Sequence, residues 1–288
     1  MTRVAYAAPS NSGRSAITSE QGIAEVNGTW LVYEAAGAGP PVVLLHGFTL
    51  DRRMWDEQMP AFAERHRVVR YDLRGFGASA PFVPDEPYTH ANDLRALMTH
   101  LGIGRAAVVG LSMGGWAALE FALTYPESVS ALVLVDSALR GYPWSPSGAA
   151  TIDAIYRLGR EGRLDEAKAG WLADPLFACS GRTPAATARL AQIIADYPCG
   201  HLLQDDPHFP LEPPARERLH EVAAPTLVVL GAEDVPDMHA IADVLTTGIP
   251  GARRVVLPHA GHMANMDAPE AFNRAVLDFL ASSDSSHA

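Results

Sequence analysis

A serine hydroxyl attacks a carbonyl only when a base takes its proton and a third group orients that base. Ser112 lies in Gly110-Leu111-Ser112-Met113-Gly114-Gly115, between the run Ala106 to Val109 and a segment, Trp116 to Thr124, that is rich in helix formers and stops before Pro126. Strand, sharp turn and helix form the setting in which a GxSxG pattern presents a serine for attack. Gly110 and Gly114 suit the turn because backbone passes too close there for a Cβ. The start of the following helix also favours developing negative charge.

In such a setting the acid and the histidine follow the serine in that order. His239, His259, His262 and His287 are the late histidines. His287 sits in a polar tail and His239 inside a helical pattern, whereas His262 follows the last strand through Ala260-Gly261, which can turn its imidazole toward the sheet edge. His259 reads as a loop or packing residue. For the acid, Asp234 follows the strand Thr226 to Leu230 through Gly231-Ala232-Glu233; Asp136 holds the same kind of place one strand earlier and is its competitor. Glu233 and Asp237 are adjacent alternatives suited to loop solvation or helix capping. After the first long parallel strand, His46-Gly47-Phe48 permits a turn that aims the Phe48 N–H at the site, and Met113 supplies a second oxyanion donor.

Short β-branched runs alternating with segments of helical length predict an α/β fold with a mainly parallel sheet and helices on both faces. Ile23 to Val26 and Thr29 to Glu34 flank Asn27-Gly28 and predict an opening antiparallel hairpin. The runs Val42 to His46, Arg67 to Asp72, Ala106 to Gly110, Leu132 to Asp136, Thr226 to Gly231 and Arg254 to Pro258 predict parallel strands buried on both faces. Between Asp136 and Pro225 no strand is apparent, but helical patterns recur around Ile152 to Leu158 and Thr187 to Ile194. With Pro143 and Pro146 at one end and Pro207, Pro210, Pro213 and Pro214 at the other, this stretch predicts a helical cap over the carboxyl edge of the sheet. The expected organisation is a core over 21–137 and 219–281, a cap over 138–218, and disordered tails at 1–20 and 282–288.

The 288 residues are 48% hydrophobic, enough for a full-sized core, and the formal net charge of −11 disfavours nucleic acid and anionic lipid as partners. Two cysteines, Cys179 and Cys199, make no disulfide framework. No apolar run nears the roughly 20 residues of a membrane helix, and residues 1–20 lack a secretory h-region. A cytoplasmic protein without membrane attachment is the expectation.

The set formed by His46-Gly47-Phe48, Asp72-Leu-Arg74-Gly75-Phe-Gly77-Ala-Ser79, the Ser112 turn, Gly231-Ala-Glu-Asp234 and Gly261-His262 resembles the α/β-hydrolase superfamily, in the family's order, from about Gly22 to Leu280. Leu257-Pro-His-Ala-Gly-His262 and Ala268-Pro-Glu-Ala-Phe-Asn273 are most similar to capped, cofactor-free bacterial carboxylesterases and 3-oxoadipate enol-lactonase-like enzymes. The resemblance implies the α/β-hydrolase fold, a small-molecule ester or lactone substrate, no cofactor, and oxyanion roles for Phe48 and Met113. Serine at position 112 departs from the aspartate nucleophile of the family's haloalkane dehalogenases and epoxide hydrolases. The turn after His46-Gly47 lacks the extra glycines common in its carbon–carbon bond hydrolases.

Other signals carry less. Gly75-Phe-Gly77-Ala-Ser-Ala80 matches a relaxed dinucleotide pattern, but Pro81, Pro84 and Pro87 forbid the helix such a site needs; Asp72 and Arg74 read as loop-fixing. His259 and His262, and His201 and His208 in the cap, lack the Cys or acidic neighbours of a metal site. Trp144 is the substrate-binding candidate, with Trp171, Phe177, Tyr142 and Tyr156 as further aromatics that could line an acyl pocket or build local core. The expected chemistry is an acyl-enzyme on Ser112, with His262 as base and Asp234 orienting it, losing activity on acidification as the base becomes charged. The rivals are a non-catalytic small-molecule-binding protein of the same fold, as in some plant hormone receptors, and perhydrolase or cofactor-free oxygenase chemistry at the same site.

Overall fold

The computed structural model describes residues 2–5 and 18–284. Nine strands form one sheet: β1 Thr2–Ala5, β2 Thr18–Val26, β3 Thr29–Ala36, β4 Pro41–Leu45, β5 Arg67–Tyr71, β6 Ala106–Leu111, β7 Val129–Val135, β8 Thr226–Gly231 and β9 Arg253–Leu257. Their order is β1-β2-β3-β5-β4-β6-β7-β8-β9. β1, β2, β3 and β5 pair antiparallel; from β5 to β9 every pair is parallel. The β2–β3 turn places Asn27 and Gly28 at φ 50° and 69°, both left-handed as a type I′ hairpin requires.

Among the described residues ten α-helices accompany the strands: α1 Gln58–Ala63, α2 His90–His100, α3 Met113–Thr124, α4 Pro146–Arg160, α5 Leu164–Leu172, α6 Pro184–Asp196, α7 Gly200–Leu203, α8 Pro236–Gly248, α9 Ala264–Asp267 and α10 Pro269–Asp284. α2 packs on α3, and α1 on α10. β6 and β8 are buried at every residue, so helices cover both faces of the sheet there. α4 to α7 form the cap. Ser145, Thr183 and Asp174 each accept a backbone N–H at the start of a cap helix, which explains where these helices begin.

Three expectations change. β1 and the first residues of β2 lie within the segment read as a tail; Thr2 to Ala5 pair with Thr18 to Gln21 as an antiparallel edge, a pairing that the short run Thr2-Arg3-Val4-Ala5 does not announce by itself. Residues 6–17 lie outside the described residues. At the other end α10 continues through Asp284, past the predicted boundary at 281, and 285–288 lie outside the description. β9 is not buried on both faces: it is the last strand of the sheet, with Arg253, Arg254 and Val256 exposed.

Candidate active site

Ser112 is the hinge between β6 and α3, and its backbone is held at φ 54°, ψ −113°. A non-glycine residue in this region is strained and persists only where its surroundings over-determine it. They do: Ser112 N–H donates to the Val135 carbonyl at 3.0 Å, and the Ser112 carbonyl accepts from the N–H groups of Gly115, Trp116 and Ala138 at 3.0, 3.2 and 3.1 Å. The flanking glycines let the segments close up. A Cβ on Gly110 would lie 2.7 Å from Gly115 N and closer still to the Gly114 carbonyl; one on Gly114 would lie 2.5 Å from the His46 carbonyl oxygen and closer still to that of Leu45.

That last contact joins the two loops that carry the oxyanion candidates. Met113 is the first residue of α3, where an N–H has no partner within its own helix, and neither its N–H nor that of Phe48 meets an acceptor among the described residues. The turn bearing Phe48 is pinned by His46, whose Nε2 accepts the Leu73 N–H at 3.0 Å; its proton therefore sits on Nδ1 and goes to the Gly47 carbonyl at 2.8 Å. Complete burial holds this imidazole below its ordinary pKa and so keeps it neutral. Asp72 fixes the neighbouring loop, accepting the N–H groups of Arg52 at 2.8 Å and Ala78 at 2.9 Å and pairing with the Arg52 guanidinium. Arg74 pairs with Asp93. Neither Asp72 nor Arg74 lines the cavity described below.

His262 Nδ1 and Asp234 Oδ2 are 2.9 Å apart, in a pair with side chains only 3% and 0% exposed. With the proton on Nδ1 donated to the carboxylate, Nε2 is left as the basic nitrogen. The loops carrying the two residues are locked together: Glu233 N–H donates to the Ala260 carbonyl at 2.8 Å, and a Cβ on Gly231 would lie 2.6 Å from that oxygen. Asp234 Oδ1 also accepts the Val235 N–H at 2.7 Å. The structure thus joins His262 to Asp234, and Asp136, the competing acid, instead accepts the Gly231 N–H through Oδ1 at 2.7 Å. No hydrogen bond joins Ser112 Oγ to His262 among the described residues. His259 lies in a loop at φ 59°, with a side chain 79% exposed, and Glu233 caps the Ser180 N–H. His239 lies within α8.

A cavity of about 590 Å³ opens over Ser112 and Met113, and Phe48 is on its wall. Trp144 lines it, as do Tyr156 and Trp171 from the cap; Phe177 packs behind Trp171 at 5.3 Å between ring centroids. Trp171 Nε1 donates to Thr49 Oγ1 at 2.8 Å, tying α5 to the residue after Phe48. His90, Trp116, Arg140, His201 and Asp206 make a more polar wall that the sequence reading missed as substrate-facing. The Arg140 guanidinium lies 4.2 Å over the Trp116 ring and donates to His208 Nδ1 at 3.2 Å. Burial drives both His201 and His208 down to about 3, with the Arg140 charge a secondary cause for His208. One signal was available: Trp116 stands four residues after Ser112, one turn along the same helix face.

Among the described residues no cluster of three His, Cys, Asp or Glu side chains could hold a metal ion, and no helix is long and apolar enough to cross a membrane. The family model for the alpha/beta hydrolase fold matches residues 40–269. The chain is 32% identical, over 87% of its own length and 96% of the relative's, to a Caulobacter sp. (strain K31) protein named as a carbamate hydrolase, RutD. It is also 32% identical to a Burkholderia cepacia 2-hydroxy-6-oxo-6-phenylhexa-2,4-dienoate hydrolase, covering 85% of this chain and 89% of the relative. Among solved structures, the enol-lactonase of Burkholderia xenovorans LB400 is similar at 29% identity and a TM-score of 0.72, over 90% of this chain and all of that one. The positions matched span the strained serine turn and the buried carboxylate–imidazole pair alike, and the chain belongs to the alpha/beta hydrolase fold family.

Proposed function

We propose that the protein hydrolyses a small to medium carboxylic ester or lactone through an acyl-enzyme on Ser112. The observation that carries this reading is a strained serine on the wall of a cavity that Phe48 and Met113, whose backbone N–H groups are unengaged, also line, in a chain that also buries a carboxylate-oriented imidazole. His262 Nε2 accepts the serine proton as Ser112 Oγ adds to the carbonyl, and Asp234 holds the tautomer and stabilises the imidazolium. The N–H groups of Phe48 and Met113 stabilise the tetrahedral oxyanion. His262 then protonates the leaving oxygen, and water, activated by the same imidazole, releases the acid. In a lactone the leaving oxygen stays tethered to the acyl group.

The relatives' names support hydrolysis and spread over several bond types. Lactone and carbamate hydrolysis share addition to an acyl carbonyl, and a relative named as a dienoate hydrolase is as similar as any of the three, so the glycine-poor turn after Gly47 does not separate the chain from that group. The test is a panel of p-nitrophenyl esters and lactones of graded acyl size. Wild type turns over, Ser112→Ala loses at least about a thousandfold in kcat, and a fluorophosphonate labels Ser112. Undiminished turnover in Ser112→Ala would remove the serine from the chemistry.

A further inference from the structure

Asp136 is one residue beyond β7, and Asp234 is three beyond β8, the next strand in the sheet. Parallel pairing of Val135 with Val229 brings the two strand ends level, and the Asp136 N–H donates to the Val229 carbonyl at 2.9 Å. Asp136 takes a left-handed φ of 40°, and its carboxyl is turned under the loop that begins at Gly231. The residue is 2% exposed. Oδ1 accepts the Gly231 N–H; Oδ2 is buried with no donor among the described residues, and Asp234, beyond the end of the neighbouring strand, is one of the groups that push the Asp136 carboxyl up. A carboxylate buried beside a second negative charge is disfavoured, and a buried acceptor without a donor is costly.

We propose that Asp136 holds a proton on Oδ2 and donates it in a hydrogen bond to the Asp234 carboxylate, so that the acid of the site is a two-carboxyl unit with Asp136 as its positioning residue. The inference rests on the reading of Asp234 and His262 as acid and base. Placing the proton on Asp136 satisfies its orphan oxygen, whereas Asp234 already receives the Val235 N–H and the His262 imidazole and is better served as the charged partner. The other ionisable groups facing the unit agree. Asp267, which accepts the Gly261 N–H at 2.9 Å and is paired with Arg182 at 2.7 Å, adds negative potential from α9. Burial, then the Asp234 charge, holds Asp136 well above the usual carboxylate range. The hydrogen bond withdraws part of the charge that Asp234 presents to the imidazole, and it fixes the Asp234 rotamer.

The test separates the proton from the catalysis. An infrared difference spectrum at pH 7, wild type minus Asp136→Asn, contains the C=O stretch of a protonated carboxyl, and the same band appears when both proteins carry Ser112→Ala. No such band overturns the proposal whatever the enzyme turns over. In activity, Asp136→Leu lowers kcat by about tenfold with KM within about twofold, and it moves the acidic limb of the kcat/KM profile to higher pH. Asp136→Asn, which keeps a donor toward Asp234 and an acceptor toward Gly231, restores the limb. Equal impairment by Leu and Asn with an unmoved limb overturns the positioning role. Failure of the triad reading shows elsewhere, as full activity in Ser112→Ala.

Discussion

Gly114→Ala probes whether the two loops proposed to carry the oxyanion donors must touch. The new methyl would stand 2.5 Å from the His46 carbonyl oxygen and nearer to that of Leu45, both of them backbone atoms that no rotamer change can move. Ordinary contact needs about 3.4 Å, so α3 and the end of β4 must separate by roughly 1 Å. Such a shift takes a hydrogen bond of about 2.9 Å to nearly 4 Å, beyond any useful geometry. One of the two donors, Phe48 or Met113, then misses the oxyanion. Loss of a single donor costs about 10²–10³ in kcat, or about 3–4 kcal/mol of transition-state stabilisation. Overpacking costs a further 1–3 kcal/mol or so in folding stability. Gly104→Ala is the control, because a Cβ there meets nothing within 4 Å. The assay pairs kcat on a p-nitrophenyl ester with the urea midpoint of each variant. A folded Gly114→Ala protein with kcat within threefold of wild type would refute the argument that these amides act together.

Other outcomes follow from burial. His46, His90, His201 and His208 all have pKa values lowered chiefly by desolvation. The unfolded chain therefore binds more protons below about 6.5, and stability is lost as pH falls from there, down to about 3 for His201 and His208, by up to about 1.4 kcal/mol per pH unit for each group. Glu120 runs the other way: burial raises it to about 7, so its contribution is present below about 4.5 and lost as pH rises through 7. Asp93, Asp136 and Asp206 are raised chiefly by burial too and run the same way as Glu120, so the histidine contribution is read by comparison: between urea melts at pH 7.5 and 5.0, His208→Asn should lose less stability than wild type. Glu120→Gln should steepen that fall and stabilise the protein above pH 7. Trp171→Phe removes the Nε1 donor to Thr49 while keeping most of the packing; KM for aromatic esters should rise severalfold with a smaller change in kcat, measured by initial rates.

The elements nearest the chemistry were legible because each is a local event. Gly110 to Gly115 announces its turn through glycines that only a close backbone approach requires, and Asn27-Gly28 announces a hairpin. Asp234 and His262 were readable as strand-end residues, since the end of a buried strand is where a parallel sheet opens. What stayed hidden depends on which strands are neighbours. Nothing in the composition around Asp136 says that β7 lies beside β8, and so the residue looked like a rival to Asp234 when its carboxyl accepts the Gly231 N–H at the start of the loop that carries Asp234. The exposure of β9 is likewise a consequence of sheet order, invisible in Arg253 to Leu257 alone. His90 and Arg140 reach the cavity from the start of α2 and from the loop after β7, places that share no sequence pattern.

The two ends of the cap meet. Arg216 N–H donates to the Arg140 carbonyl at 3.3 Å, the Arg216 side chain reaches the Gly141 carbonyl at 3.3 Å, and a Cβ on Gly141 would sit 3.0 Å from Pro214. Chain that leaves and re-enters a sheet at one point behaves as a single closed loop, and doubling the length of such a loop costs only about 0.6 kcal/mol in closure entropy. The segment between Gly141 and Pro214 can therefore be lengthened at little entropic cost, and its ties to the core, Trp171 on Thr49 and Arg182 on Asp267, are the contacts such a change must keep. On the proposed function, substrate range can then change through the cap without a change in Ser112, Asp234 or His262.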